Sequence, residues 1–248
     1  MKRSMRLLLT VMTACVIAVM AAGCGKDTPA AEKSPAVSGT DAGAAAISDA
    51  PKFDKSHASV GGASLLMTQD ELRSVLGEPD ETVPHFPDIW IYRTGDTVDM
   101  EWEKDDVADR VEVRLYTDRF RLDNGACVGM TRKELCALFY DNGKGEPFVD
   151  SLSGEEIGFS LYGTFSPKDF ENLQKGDVHQ YAFIDVTQHA EPVSYTAIAD
   201  YYCCEVTGQD DNQLIGNVYN AKFYFDENAK VKYISLSVNI GSYLYFYS

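Results

Sequence analysis

The sequence predicts an α+β fold, in which antiparallel sheets carry short helices on one face and form a tandem repeat with an insertion in the second copy. One observation is an internal echo, because residues 62–72 align with residues 125–135 and share Gly, Ala, Met, Thr, Glu and Leu at a constant offset of 63 residues. Another is that each copy places a Thr three residues before a Glu, which is typical of a capping box at a helix start. Strand-like alternation then follows each predicted helix.

Residues 1–23 read as a secretory leader. A basic start precedes an uncharged stretch at 7–20, which is shorter than the about 20 apolar residues of a membrane-spanning helix. Small residues at 21–23 then precede Cys24, and this ending resembles the lipobox of bacterial lipoproteins. The resemblance implies that Cys24 carries the lipid and that the protein is anchored to the cell membrane, facing outside the cytoplasm. The alternative is an ordinary secretory leader, with Cys24 an incidental thiol.

The remaining chain divides into a tether and two repeats. Residues 24–58 hold the cysteine followed by a segment rich in Ala, Pro, Gly, Ser and Thr, which we expect to be disordered. Residues 59–124 form the first helix–sheet repeat. Residues 125–248 form the second, with the insertion at about 166–219.

In the first copy, Thr68 is expected to begin a helix, and Gly77 to end it. Its apolar stripe consists of Leu72, Val75 and Leu76. Strand-like runs follow at 89–92, 97–103 and 110–116.

In the second copy, Thr131 begins the helix, and its apolar stripe consists of Leu135, Leu138 and Phe139. The hairpin loop at 226–230 separates the last two strands. Strand-like runs lie at 157–164, 178–187, 195–207, 221–226 and 231–240.

Two short motifs carry a resemblance to a known family. They are Met-Thr at 67–68 followed by Leu-Gly-Glu-Pro at 76–79, and Gly-Met-Thr at 129–131 followed by Leu138. A helix, Gly-x-Pro and an antiparallel sheet in tandem resemble the repeat of β-lactamase inhibitor proteins and of the small outer-membrane-assembly lipoproteins (SmpA/OmlA). The resemblance implies a role in binding other proteins and no catalysis, but it supplies no binding residue.

The composition excludes one class of partner. The 248 residues hold 22 Lys and Arg against 38 Asp and Glu, a formal net charge of −16. Nucleic-acid binding through phosphates needs a basic face, so no nucleic-acid partner is expected. Anionic lipid headgroups would also repel the chain, so the acyl chains are expected to hold it at the membrane.

No catalytic signature is present in the sequence, which lacks a G-x-S-x-G elbow, a P-loop and an H-E-x-x-H pair. The four histidines are His57, His85, His179 and His189. The last two would lie about 33 Å apart along a straight strand and so would not share a metal ion. We therefore predict no catalytic residue, no metal site and no cofactor.

The cysteines are disulfide candidates in an exported protein. After removal of the leader and acylation of Cys24, the remaining ones are Cys127, Cys136, Cys203 and Cys204. Neighbours on a strand point to opposite faces, so a bond between Cys203 and Cys204 is not expected, whereas Cys127 or Cys136 could pair with either. The alternative is that all four are buried free thiols.

The C-terminal strand supplies the candidate binding face. Alternation places Tyr243, Tyr245 and Tyr247 on one side, and tyrosine is favoured at protein and carbohydrate interfaces. The alternative is a final strand half in the core. Acidic pairs at 105–106, 155–156 and 210–211 are interpreted as solvated turns rather than acid–base or calcium sites.

The functional expectation is a non-catalytic, lipid-anchored module that binds a protein, glycan or other envelope component through its sheet. The alternatives are a cell-surface hydrolase that uses acidic residues and a purely structural spacer. A pocket that gathers carboxylates would favour the hydrolase, whereas an open sheet lined by aromatic side chains would favour binding.

Overall fold

Ten of the strands that the structure describes form a single antiparallel sheet. The computed structural model describes residues 49–83, 88–105, 109–149, 154–164, 170, 172–187, 195–210 and 213–244, all of them within the compact unit Asp41–Ser248. The predicted leader, Cys24 and the tether up to residue 48 lie outside the described residues. Across these ranges, no helix has the length and apolar character that a membrane crossing needs.

Twelve strands are described along the chain. They are β1 (Ser59–Val60), β2 (Ala63–Ser64), β3 (Glu81–Val83), β4 (Asp88–Thr94), β5 (Thr97–Asp105), β6 (Arg110–Leu115), β7 (Pro147–Val149), β8 (Glu156–Tyr162), β9 (Val178–Asp185), β10 (Ala197–Asp210), β11 (Gln213–Phe225) and β12 (Val231–Tyr243). Strands β1 and β2 form a separate hairpin, and the sheet order is β3-β4-β5-β6-β12-β11-β10-β9-β8-β7. Two meanders therefore meet where β6 pairs with β12.

The predicted α+β class is wrong, because strands dominate and, in the described part of the chain, no helical layer covers the sheet. The two α-helices of the described residues are α1 (Gln69–Leu76) and α2 (Arg132–Cys136), with eight and five residues. Helix α1 stops at Gly77, whose φ of 81° favours glycine. Helix α2 stops before Phe139, so the predicted second stripe continues beyond the helix. Elements of one or two turns are too short to form a layer over ten strands.

Both predicted helix starts are confirmed. The Thr68 hydroxyl accepts a hydrogen bond from the Glu71 amide, and the Glu71 carboxylate accepts one from the Thr68 amide at 2.8 Å. Thr131 and Glu134 repeat this arrangement, also at 2.8 Å. Hydrogen bonds from the Thr amides hold the pKa of both glutamates below its usual range. A capping box is therefore the common feature of the two copies.

The segment predicted as an insertion is integral to the sheet. Strand β9, strand β10 and the start of β11 come from residues 166–219, and they lie between β8 and β12. Strands β10 and β11 have 14 and 13 residues, among the longest of the described strands. These residues thus complete the second half of the sheet.

The end of the predicted tether packs into the body, so the tether boundary at residue 58 needs correction. Phe53 is fully buried, its amide donates to the Tyr162 hydroxyl at 2.9 Å, and its carbonyl accepts from Gln180 at 2.8 Å. His57, in a 3₁₀ turn at Lys55–His57, is also buried. Phe53 thus packs into the core from a segment of mostly small residues, and the composition of that segment does not indicate this contact.

The main core lies on one face of the sheet. Inward-facing residues of β4–β6 and β8–β12 pack there against the hairpin, both helices and Phe53. The largest fully buried side chains include Tyr92, Tyr162, Tyr201, Phe139, Phe223, Phe225, Met100 and Leu135. The described helices and the hairpin lie on this side of the sheet, and a smaller apolar cluster that includes Cys204 lies on the opposite side.

Candidate binding face

The side of the sheet opposite the helices, called the open face below, carries two rows of polar and aromatic side chains that run across the strands. Strand register sets Glu101, Arg114, Ser235, Lys222, Asp200 and Phe183 in one row. The adjacent row contains Glu103, Glu112, Ser237, Asn220, Tyr202 and Tyr181. These two rows together are called the polar band.

Glu112 is the centre of a charge cluster at one end of the polar band. Its carboxylate accepts hydrogen bonds from Arg110 at 2.7 Å, from Arg114 at 2.8 Å and from the Ser235 hydroxyl at 2.8 Å. Burial opposes ionisation, but the bonds from Ser235 and Arg114 outweigh it and hold the pKa of Glu112 below its usual range. Glu112 is therefore an ionised and fully engaged carboxylate, unsuited to donate a proton at neutral pH.

Arg114 links this cluster to strand β5. Its Nη1 lies 2.9 Å from Glu103 Oε2 and 3.6 Å from Glu101 Oε2, so two carboxylates share one nitrogen. Glu101 Oε2 also accepts a hydrogen bond from the Tyr116 hydroxyl at 2.8 Å. The side chains of Glu101, Glu103 and Arg114 are 24%, 17% and 26% exposed, so these charges are only partly hydrated.

Asp200 occupies the other end of the polar band. Its Oδ1 accepts from Asn220 Nδ2 at 2.6 Å, and its Oδ2 accepts from the Tyr202 hydroxyl at 3.2 Å and lies 3.5 Å from Lys222 Nζ. Asp200 is 5% exposed. Burial outweighs the favourable charge of Lys222 and raises the pKa of Asp200 to about 6. This carboxyl group thus changes its charge in a mildly acidic range.

A row of four tyrosines borders the polar band. Neighbouring ring centroids are 5.3 Å apart for Tyr116 and Tyr233, 5.0 Å for Tyr233 and Tyr224, and 5.2 Å for Tyr224 and Tyr195. Burial raises the pKa of each of them. The rings therefore remain uncharged at neutral pH and form an amphipathic tyrosine row beside the charges.

Stacked aromatic rings close the Asp200 end of the polar band. Phe148 stacks on Phe183 at 3.9 Å, and Tyr181 stacks on Tyr202 at 4.5 Å, with interplanar angles of 1° and 12°. Tyr181 and Phe183 are themselves nearly parallel, at 6.5 Å. Ring contacts on this side thus connect β7 with β9 and β9 with β10.

A small second core flanks the polar band on the side away from the tyrosine row. It consists of Phe170, Cys204, Val206 and Leu244. The Gly176 amide donates to the Val206 carbonyl, which ties the segment before β9 to the sheet. At its β10–β11 end, the polar band therefore runs between an apolar cluster and the tyrosine row.

The four cysteines of the body are free thiols in the structure. Cys203 lies in the main core and Cys204 in the second core, so the two neighbours point to opposite faces as predicted. Burial raises the pKa of both to about 12. Cys127 is buried and Cys136 half-buried. The structure thus shows the predicted alternative of free thiols rather than the candidate disulfide of Cys127 or Cys136.

The two histidines among the described residues have structural contacts. His57 packs on Phe53 and Phe139, and its Nδ1 lies 2.9 Å from Asp54. The His179 ring lies 4.6 Å from Phe170, and its Nε2 is 3.0 Å from the Thr164 carbonyl. His85 and His189 lie outside the described residues. No group of three or more potential metal ligands occurs within the described part of the chain.

The predicted tyrosine face at the C-terminus is described only at its first residue. Tyr243 is 41% exposed, and its hydroxyl donates to Asp210 at 3.1 Å. Leu244 points into the second core, as the alternation predicts. Tyr245 and Tyr247 lie outside the described residues, so this candidate face remains a prediction.

The described members of the acidic pairs lie at strand ends, and Asp106 and Asp211 lie outside the described residues. Asp105 ends β5, exposed Glu156 begins β8, and Asp210 ends β10. The most buried carboxylates of the polar band, Glu112 and Asp200, lie on strands three spacings apart, which is about 14 Å. Paired carboxylates of glycoside hydrolases lie closer, at about 5–9.5 Å. These two groups therefore do not form such a pair.

Sequence reasoning missed the polar band and the tyrosine row. The signal was present in β6, where Arg110, Glu112 and Arg114 alternate with buried valines. Alternation identifies such a strand as two-faced, but it does not reveal which strands lie beside it.

No protein-family model matches the chain, and no curated protein or solved structure matches it either. The resemblance to inhibitor and lipoprotein repeats therefore stays a prediction from short motifs.

Proposed function

We propose that this chain is a lipid-anchored extracytoplasmic protein that binds another envelope component through the open face of its sheet. Cys24 is the anchor in this proposal, and residues 25–48 connect it to the folded body. The proposal includes no catalytic residue and no cofactor.

The observation that carries the proposal is the composition of the open face. Charged side chains such as Glu112 and Asp200 are buried beside a row of tyrosines, although the described helices pack on the other side of the sheet. Tyrosine and arginine are enriched where proteins bind one another, and charge pairs held in place need little reorganisation on binding. Charged and aromatic side chains that hold one another in place across a sheet support recognition more than they support a reaction in a pocket.

Photo-crosslinking in intact cells tests the binding face. A photoreactive phenylalanine analogue at Tyr233 would lie in the tyrosine row, and the same analogue at Val75 would lie on exposed α1 as the matched control. We expect a discrete crosslinked product from Tyr233 and none of that size from Val75. Equal products from both positions, or products from Val75 alone, would contradict the open face as the contact surface.

Cell fractionation tests the anchor separately. The substitution Cys24→Ser removes the thiol that the lipobox reading requires, and we expect the variant to leave the washed membrane fraction. The body cysteine variant Cys136→Ser is the control and should stay with the membrane. Retention of Cys24→Ser in that fraction would refute the lipid anchor while leaving the binding face untouched.

A further inference from the structure

The charge cluster of the polar band holds more carboxylates than guanidinium groups. Glu112 contacts both Arg110 and Arg114, so most of the positive charge is directed to this one carboxylate. Glu101 and Glu103 are left to share Nη1 of Arg114, and the longer of these two contacts is 3.6 Å. Among these five charged side chains, the uncompensated negative charge therefore lies on Glu101 and Glu103 of β5.

The tyrosine row begins at this same place. Tyr116 donates its hydroxyl hydrogen to Glu101, and its ring lies 5.3 Å from that of Tyr233. Aromatic faces attract ammonium and guanidinium groups, and partly dehydrated carboxylates strengthen that attraction. A tyrosine beside two carboxylates that share one nitrogen is thus chemically complementary to a lysine or arginine side chain.

The dimensions of the polar band suit an extended chain. From Glu101 on β5 to Asp200 on β10 the band crosses four strand spacings, about 19 Å. About six residues of extended polypeptide cover this length. The band is bordered on one side by the tyrosine row, and at its β10–β11 end it is bordered on the other side by the second core. A segment lying along the band therefore meets tyrosine rings on one flank and apolar side chains on the other flank at that end.

The net charge separates the candidate occupants. At −16, two copies of this chain would repel one another, whereas a positively charged segment would be steered toward the surface. A neutral glycan would use the tyrosines but would leave the charge of Glu101 and Glu103 without a counterpart. Charge complementarity therefore favours a basic protein segment over both.

We propose that the open face binds an extended segment of a partner protein that carries lysine or arginine, with one cationic side chain placed over Tyr116 and against Glu101 and Glu103. This inference rests on the proposed binding function and names the chemistry of its partner.

Fluorescence anisotropy tests the proposal with a labelled peptide of alternating arginine and serine, added to the full mature chain in detergent. Glu103→Gln removes one charge from the polar band, and Glu156→Gln removes one charge from an exposed position on β8. We expect Glu103→Gln to weaken peptide binding about tenfold, the loss typical of a charged hydrogen bond, with Glu156→Gln near wild type. Binding should also weaken as salt increases.

Several results would overturn this proposal. If Glu103→Gln and Glu156→Gln weaken binding equally, peptide affinity depends only on the net charge of the chain. If a glutamine–serine peptide binds as tightly as the arginine–serine peptide, the surface does not recognise cationic side chains. Thermal melting of each variant shows whether it is folded, and Glu101→Gln supplies a second test if Glu103→Gln is not. Suppose that Tyr233 gives a crosslinked product in cells, but the arginine–serine peptide binds no more tightly than the glutamine–serine peptide. That result would refute the basic partner segment and leave the proposed binding face in place.

Discussion

Asp200→Asn tests the electrostatics of the polar band with a nearly isosteric change. The amide oxygen of asparagine still accepts the hydrogen bond from Asn220, and the Tyr202 hydroxyl finds a partner in the amide. The attraction to Lys222 is lost, but that side chain is 33% exposed and turns readily to water. Phe183, the facing residue on β9, carries no charge. The variant should therefore fold like the wild type and differ from it mainly in how its stability depends on pH.

The expected magnitude follows from the raised pKa of Asp200. Its pKa is about 6 in the folded protein against 3.8 as the ordinary value, and each pKa unit corresponds to about 1.4 kcal/mol, so the full penalty is about 3 kcal/mol. As pH increases, the unfolded chain loses this proton first, so wild-type stability falls between about pH 4 and pH 6 and is then constant. From pH 4.5 to pH 7.5 this one group costs the wild type about 2 kcal/mol, a cost that Asp200→Asn lacks.

Urea unfolding at the two pH values, followed by fluorescence of the buried tryptophans Trp90 and Trp102, measures this difference. Relative to the wild type, Asp200→Asn should gain about 2 kcal/mol of unfolding free energy on going from pH 4.5 to pH 7.5. Asp96→Asn, in the exposed turn between β4 and β5, controls for the change of one unit in net charge. Unfolding free energies of Asp200→Asn and wild type that stay parallel across this range would refute the burial of an ionisable Asp200.

Three further sets of substitutions test the fold. Phe53→Ala should lower the unfolding free energy by about 3–5 kcal/mol in urea titrations, because the ring is fully buried in the main core. A change near zero would show that Phe53 belongs to the tether and not to the core. Thr68→Ala and Thr131→Ala should each lower the unfolding free energy by about 1 kcal/mol in the same titrations. If the two losses differ by more than this amount, the two capping boxes are not equivalent. Gly158→Ala should strongly lower the thermal midpoint, because a Cβ there would overlap the backbone carbonyl of the facing strand, whereas Gly208→Ala, with open space and no positive φ, should leave the midpoint unchanged.

Local features of the fold were predictable from the sequence, and non-local ones were not. The capping boxes at Thr68 and Thr131 depend on four consecutive residues, and the structure confirms both. The predicted fold class was wrong because a capping box does not determine how long a helix is. Helix α1 ends at Gly77, where the chain turns toward β3, and the apolar residues after Cys136 pack outside α2.

The polar band could be predicted only in part, for the same reason. The alternation in β6 shows a charged face and an apolar face within six residues. The contact of Glu112 with Ser235 joins residues 123 positions apart, and the bond between Phe53 and Tyr162 joins residues 109 apart. Such pairs are fixed by the meeting of β6 with β12 and by core packing, neither of which leaves a local pattern in the sequence.

The energetics of the polar band argue for binding over a purely structural role. Partly buried ion pairs such as Arg114 with Glu112 recover little more than the cost of removing their charges from water, so apolar residues would stabilise the sheet at least as well. Asp200 goes further, because its raised pKa means that it lowers stability at neutral pH. A spacer between membrane and solvent gains nothing from these residues. In the proposed binding function, a charged partner gains orientation and selectivity from charges already held in place.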